Sequence, residues 1–105
     1  MINILCWNAR GLGSQVKLDF ISNELRSNSV SIVAVLEHNQ SPLKVKVFTR
    51  RLRVWGFLIG FPINFHILLL WKDGISVDLF SSSDQFISTK VSVGSRVFVL
   101  SVVYA

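Results

Sequence analysis

Apolar and polar residues follow one another in a strand–helix–strand order over the first third of the chain. Apolar runs predict buried strands over residues 2–7 and 30–36. Between them, Ser14 is a suitable N-cap for a helix that ends near Ser27. Because a helix connects the two strands, we expect them to be parallel or nearly so. The helix carries one apolar stripe, formed by Leu18, Ile21 and Leu25.

A second amphipathic segment follows a polar loop. Ser41 and Pro42 have the N-cap and first-position pattern of a helix, which we expect to run to residue 55 and to stop at Gly56. Its apolar face consists of Val45, Phe48, Leu52 and Trp55. Its opposite face is basic and consists of Lys46, Arg50 and Arg53.

From residue 57 onward the pattern is typical of β-structure. Lys72-Asp73-Gly74 has the composition of a hairpin turn. Residues 97–103 are almost wholly apolar, which predicts a central strand covered on both faces. The pattern as a whole predicts one layered α/β domain. Its five later strands are expected over residues 57–61, 65–71, 75–81, 86–93 and 96–104.

Composition restricts the class of protein further. The chain has 105 residues, enough for one small domain or part of a larger one, and half of them are hydrophobic, which excludes a disordered chain. Cys6 is the single cysteine, so no internal disulfide can form, and within an apolar strand we expect it to be a small buried hydrophobe. Because the N-terminus has no signal-peptide pattern, we expect an intracellular protein, in the nucleus or cytoplasm and not secreted.

Positive charge is concentrated in one part of the chain. The formal net charge is +5, and residues 44–53 carry the whole excess without a single acid. Such a surface can follow the phosphates of a nucleic acid, or it can be a solvated helix face without a partner. The basic cluster consists of Lys44, Lys46, Arg50, Arg51 and Arg53.

An uncharged stretch over residues 54–71 is just long enough to cross a bilayer. Pro62, Asn64 and His66 lie at its centre, where polar groups are most costly in lipid. Two strands and a turn therefore explain this stretch better than a membrane span does, although a single-span membrane protein stays an alternative.

Two polar residues each end an apolar strand. Asn8 ends the first and Glu37 follows the second. Parallel neighbouring strands deliver their carboxyl ends to the same sheet edge, where an amide and a carboxylate oxygen can bind a hard divalent cation. Cations of this kind neutralise charge when phosphodiesters are cleaved. Taken alone, an Asn at such a position is more often a turn former or helix cap, and a Glu is more often a solvated strand end.

The segments around these residues resemble the start of an endonuclease/exonuclease/phosphatase domain. More specifically, they resemble the endonuclease at the N-terminus of LINE-type (non-LTR) retrotransposon polyproteins of plants. The order and spacing of the matching segments hold over the whole chain. The matching segments are residues 3–8 (NILCWN), 10–13 (RGLG), 33–37 (VAVLE), 68–74 (LLLWKDG), 81–87 (SSSDQFI) and 102–104 (VVY).

The resemblance implies a four-layered α/β sandwich that hydrolyses DNA with magnesium and needs no organic cofactor. On this pattern Asn8 orients a metal-bound or catalytic group, and Glu37 is a direct metal ligand. Tyr104 matches a tyrosine that approaches the scissile phosphate, to which its phenol can donate a hydrogen bond. Arg10 and the basic cluster are the expected DNA contacts. An amphipathic residue at a strand end is the alternative for Tyr104.

Departures from the family pattern shape the functional prediction. Ala9 replaces a cysteine, and Asn64-Phe65-His66 replaces a Gly-Gly turn, with no role assigned to His66. The later Asp-x-Asn, aspartate and Ser-Asp-His elements of the family do not occur in residues 1–105. We therefore expect an N-terminal half-domain that binds magnesium weakly and lacks an activator for the attacking water. An open sheet edge would favour self-association.

Three alternatives remain open at this stage. The chain can be a small nucleic-acid-binding module that uses the basic helix, a phosphoesterase completed by another chain, or the membrane protein described above.

Overall fold

The computed structural model describes residues 2–27, 30–52, 56–59 and 65–104. Within these ranges the chain forms two helices and seven strands. They are β1 (Ile4–Asn8), α1 (Gln15–Arg26), β2 (Ile32–Leu36), α2 (Pro42–Leu52), β3 (Gly56–Ile59), β4 (Ile67–Trp71), β5 (Ser76–Ser82), β6 (Phe86–Val93) and β7 (Arg96–Val103). The order and type of elements agree with the sequence prediction.

The strands form two sheets. The first has the order β1-β2-β4-β3, and the second has the order β5-β6-β7. As predicted, β1 and β2 are parallel, with Asn8 paired to Leu36. The other pairs in both sheets are antiparallel.

Two hydrophobic cores stack these elements into three layers. Both helices pack on one face of the four-stranded sheet, around Val33, Val35, Leu68 and Leu70. The opposite face of that sheet packs on the three-stranded sheet, around residues such as Leu69 and Ile87. Because β2 and β4 are covered on both faces, residues 32–35 and 67–70 are buried without alternation. The mixed α/β class is confirmed.

The helices form as their sequences predict. The Ser14 hydroxyl accepts a hydrogen bond from the Lys17 backbone N–H at 3.4 Å, which caps α1. The predicted stripe of α1 faces the core, with Ile21 and Leu25 buried. In α2, Val45, Phe48 and Leu52 are buried. Arg53 and Trp55, which were predicted on its two faces, lie outside the described residues.

Gly56 was predicted to stop α2, but it is the first residue of β3 and pairs with Trp71 of β4. A Cβ atom at this position would overlap with the indole ring of Trp71. Glycine is therefore needed for close packing within the sheet, while the end of α2 before Gly56 lies outside the described residues.

Lys72-Asp73-Gly74 forms a turn, but not a hairpin. Gly74 has a φ of +89°, and its N–H donates to the Asp73 carboxylate at 3.0 Å. The turn leads from β4 in one sheet to β5 in the other. The turn residues correctly predicted where the chain changes direction. They do not determine whether β5 pairs with β4, because that depends on how the two sheets stack.

Two predictions of burial are wrong because no described layer covers the sheet faces concerned. β7 was expected to be central, yet it is an edge strand, and Val97, Val99 and Val103 are about three-fifths exposed (59%, 63% and 62%). Cys6, expected to be buried, is exposed on β1. The three-stranded sheet covers β2 and β4 but leaves this face of β1 open. The exposure of Ile4, on the same face as Cys6, shows this.

No helix in the described ranges is long and apolar enough to cross a membrane.

Candidate active site

Asn8 and Glu37 lie at the same edge of the four-stranded sheet, as the sequence predicted. Asn8 is the last residue of β1, and its partner Leu36 is followed directly by Glu37. Asn8 is exposed and Glu37 is half-buried, so both side chains remain accessible to a solute. The parallel register of β1 and β2 is what brings these two strand ends together.

The backbone of Glu37 is held in an unusual conformation. Its φ of +55° lies in the left-handed region, which costs a residue other than glycine on the order of 1 kcal/mol. Hydrogen bonds on both sides fix it there. The Glu37 N–H donates to the His66 carbonyl at 2.5 Å, and the Glu37 carbonyl accepts from the Gly11 N–H at 2.6 Å. The loops after β1 and β2 and the start of β4 therefore determine together where the carboxylate lies.

Tyr104 reaches this edge from the other sheet. It follows β7, and its backbone N–H donates to the Gln85 carbonyl at 2.7 Å. Its phenol Oη donates a hydrogen bond to Glu37 Oε1 at 2.8 Å. This hydrogen bond raises the pKa of Tyr104, and burial and the Glu37 charge raise it further. The phenol therefore stays protonated at neutral pH and acts as a donor.

His66, to which the sequence assigned no role, forms part of the same cluster. Its imidazole stacks on the Tyr104 ring, with centroids 4.4 Å apart and planes at 10°. His66 directly precedes β4, while Tyr104 directly follows β7, so the stack joins the two sheets. The only sequence signal was a ring-bearing residue just before a buried strand, which does not identify a partner.

Lys17 is a second residue that sequence reasoning missed. From α1 its Nζ donates to the carbonyls of Ala9 at 2.6 Å and Gly11 at 2.9 Å, and it reaches the Arg10 carbonyl at 3.4 Å. The Asn8 side chain accepts from the Arg10 N–H at 3.2 Å. These bonds shape the loop after β1. The sequence signal for this role was a basic residue in the first turn of α1, the helix that follows the loop.

His38 shapes the loop after β2. It is fully buried, and its Nδ1 accepts a hydrogen bond from the Gln40 N–H at 3.1 Å. The Phe65 ring meets the His38 imidazole edge-on, with centroids 6.3 Å apart. His38 thus stabilises the loop between Glu37 and α2 from the interior of the protein.

The expected DNA contacts lie on two separate elements. Arg10 is exposed in the loop after β1, within two residues of Asn8. Lys44, Lys46, Arg50 and Arg51 are exposed along α2, and Arg53 lies outside the described residues. The structure therefore places Arg10 beside the strand-end residues and the basic cluster on a helix of its own.

The donor chemistry of this edge suits a hard cation. Glu37 offers a carboxylate and Asn8 an amide oxygen, the ligand types that magnesium prefers. Magnesium commonly uses one or two protein carboxylates and keeps several waters. Among the described residues, no three or more His, Cys, Asp or Glu side chains are grouped closely enough to hold a metal. The residues present thus fit a cation held mainly by water and substrate.

The architecture is an α/β sandwich, with two helices on one face of the four-stranded sheet and the three-stranded sheet on the other. Polar residues lie at the ends of its strands. The fold of the chain is similar to that of D. rerio TDP2, solved in complex with a single-strand DNA product. The TM-score is 0.60 at 16% identity over 95% of the chain. The chain spans 44% of that protein's length. No family model and no curated protein matches the sequence.

Proposed function

We propose that this chain carries the metal-binding side of a DNA phosphodiester hydrolase site. The site is of the retroelement endonuclease type, and the chain is the N-terminal half of such a domain. The observation that carries the proposal is the Tyr104–Glu37 hydrogen bond, which joins the two sheets at the edge where Asn8 ends β1. The bond joins a carboxylate and a phenol donor from distant parts of the sequence, and the pairing of β1 with β2 puts the Asn8 amide at the same sheet edge, which supports the proposal.

Each side chain has a distinct role in the proposal. Glu37 and Asn8 hold the cation, and Tyr104 orients the Glu37 carboxylate through its single phenol O–H. The same O–H would donate to a phosphoryl oxygen only after it leaves Glu37. Magnesium, when bound, neutralises charge that develops on the phosphate. The complex of D. rerio TDP2 with a DNA product supports DNA as the substrate class.

We further propose that the 105-residue chain does not hydrolyse DNA by itself. Hydrolysis needs a positioned water and a group that accepts its proton. Asn8 and Glu37 can supply two cation ligands, and the protonated phenol of Tyr104 is a donor, so none of the three activates water. A cation with two protein ligands binds weakly and keeps most of its hydration shell.

Magnesium binding and plasmid nicking together test this proposal. We expect the wild-type chain to bind Mg²⁺ weakly, Glu37→Ala to bind it at least several-fold more weakly, and neither to nick DNA. Glu24→Ala removes an identical side chain from α1 and should leave Mg²⁺ binding unchanged. Equal binding by the wild type and Glu37→Ala would refute the metal site. Nicking that disappears in Glu37→Ala would refute the inactivity.

A DNA-binding module that uses α2 is the second candidate function. It is favoured by the exposure of Lys44, Lys46, Arg50 and Arg51 on one helix. Replacement of Arg50 and Arg51 by Gln should weaken DNA binding and flatten its salt dependence by about one unit of log–log slope per lost phosphate contact. The matched control replaces Lys90 and Arg96, two exposed cations of β6 and β7, by Gln. Equal losses in both variants would show a response to net charge alone.

A further inference from the structure

Glu37, His66 and Tyr104 form a closed set of contacts in which each residue touches the other two. The Tyr104 phenol donates to Glu37, the Glu37 N–H donates to the His66 carbonyl, and the His66 ring stacks on Tyr104. The three residues come from the loop after β2, the start of β4 and the end of β7. This set is built across both sheets rather than within one segment.

The stack adds a constraint on the orientation of the Tyr104 ring. Tyr104 follows an edge strand, and its half-buried side chain also packs against the core between the two sheets. The angle of 10° between the two rings lets the imidazole cover a face of the phenol ring. Rotation of Tyr104 away from Glu37 would lose this contact. Offset-stacked aromatic rings are favourable in addition to the area that they bury.

The backbone of His66 is itself held in place. Its carbonyl accepts the Glu37 N–H, and the next residue begins β4, whose pairing with β2 runs from Ile67 and Leu36 to Trp71 and Ile32. The imidazole is therefore attached to an inner strand of the four-stranded sheet, whereas Tyr104 follows an edge strand of the three-stranded sheet.

We propose that His66 is a positioning residue, whose ring holds the Tyr104 phenol against the Glu37 carboxylate by face-to-face stacking. The role needs a flat ring and no proton transfer. Its consequence for cation binding rests on the proposed function, but the positioning itself does not. We therefore expect His66→Phe to keep the Tyr104 phenol in position and His66→Ala to lose this positioning.

Tyr104 is the only tyrosine, so selective isotope labelling of tyrosine gives NMR signals from this ring alone. In the wild type we expect an NOE between the His66 and Tyr104 rings and ring-current shifts of the Tyr104 signals. His66→Ala should lose these shifts, and His66→Phe should retain them. Phe65→Ala, which removes the neighbouring exposed ring, is the matched control and should leave Tyr104 unchanged.

The coupling to Glu37 is measured by adding Glu37→Gln to each variant. Glu37→Gln should move the Tyr104 signals in the wild-type and His66→Phe backgrounds, and this response should be lost in the His66→Ala background. An equal response in all three would overturn the proposal. So would the absence of the NOE in the wild type, a measurement that needs no variant to fold. All spectra are recorded without a divalent cation, so failure of the metal site leaves this test unaffected.

Discussion

At the scale of single residues, the site depends on backbone positions that the side chains alone do not favour. Arg10, Glu37 and Asn39 all have positive φ, although only asparagine adopts this region readily. Glu37 stays there because two short backbone hydrogen bonds hold it from neighbouring segments. A strained residue at the point where a functional carboxylate is needed is common at binding and active sites.

The Tyr104–Glu37 hydrogen bond predicts a loss of stability at alkaline pH. The pKa of Tyr104 is raised in the folded protein, mainly by this bond, from an ordinary value of 10.0. Its contribution is thus fully present below the ordinary pKa and is lost as the pH rises through the folded value. The difference in free energy of unfolding between the wild type and Tyr104→Phe, measured with urea, should be constant up to about pH 9 and shrink above pH 10. A difference that does not change at alkaline pH would contradict the assignment.

Lys17 predicts a stability effect that the sequence did not reveal. Removing its ammonium group in Lys17→Met deprives the carbonyls of Ala9 and Gly11 of a charged donor. We expect a loss of about 1–2 kcal/mol in the free energy of unfolding, because hydrogen bonds to charged groups are among the stronger ones. Lys44→Met, at an exposed position of α2, should change it by less than about 0.5 kcal/mol. Equal effects of the two substitutions would show that the carbonyl contacts contribute nothing.

At the scale of elements, periodicity correctly identified each helix and strand, but their neighbours were set by packing. Turn chemistry at Asp73-Gly74 has the same form whether the next strand pairs with the previous one or joins another sheet. Likewise Gly56 fits the end of a helix and the start of a strand equally well. What distinguishes these cases is a side chain distant in sequence, in this instance Trp71.

Gly56→Ala provides a test at the element scale. The new methyl group would collide with the Trp71 indole, which should destabilise the pairing of β3 with β4 by about 1–3 kcal/mol. In a Trp71→Leu background the obstacle is removed, so Gly56→Ala should cost much less there. Urea unfolding of the four proteins gives this coupling energy directly. Additive effects of the two substitutions would show that the collision is relieved by other means.

At the scale of the whole molecule, the two edges of the three-stranded sheet differ in their protection. β5 has a register shift between Leu79 and Ser81, which interrupts its edge. β7 pairs in continuous register along its length and has no charge between Val97 and Val103. An exposed, regular, uncharged edge strand is a site for pairing with another chain.

We therefore expect concentration-dependent self-association through β7. Val99→Glu places a charge on this edge opposite Lys90, its partner in β6, so the fold is preserved while pairing of two copies is opposed. Val16→Glu, on the exposed surface of α1, is the control. Sedimentation velocity should show a larger monomer fraction for Val99→Glu than for the wild type or Val16→Glu. Equal fractions in all three would exclude this edge as the interface.

The sequence by itself determined the elements, their order and the first pair of site residues. Alternating and helical patterns depend on the burial of local faces, so they can be read from neighbouring residues. The parallel pairing that joins Asn8 and Glu37 followed because a helix of this length connects β1 to β2. The match to a family pattern then made Tyr104 a third candidate before its position was known.

Only the tertiary structure decided which of these residues touch. His66 and the backbone of Glu37 owe their roles to partners many residues away, which local sequence patterns do not identify. Uncovered sheet faces could likewise not be predicted, because an apolar strand has the same sequence whether another layer covers it or not, as Val99 and Cys6 show. Stacking of one sheet on the other is the step that turns two strand ends and a terminal tyrosine into one site.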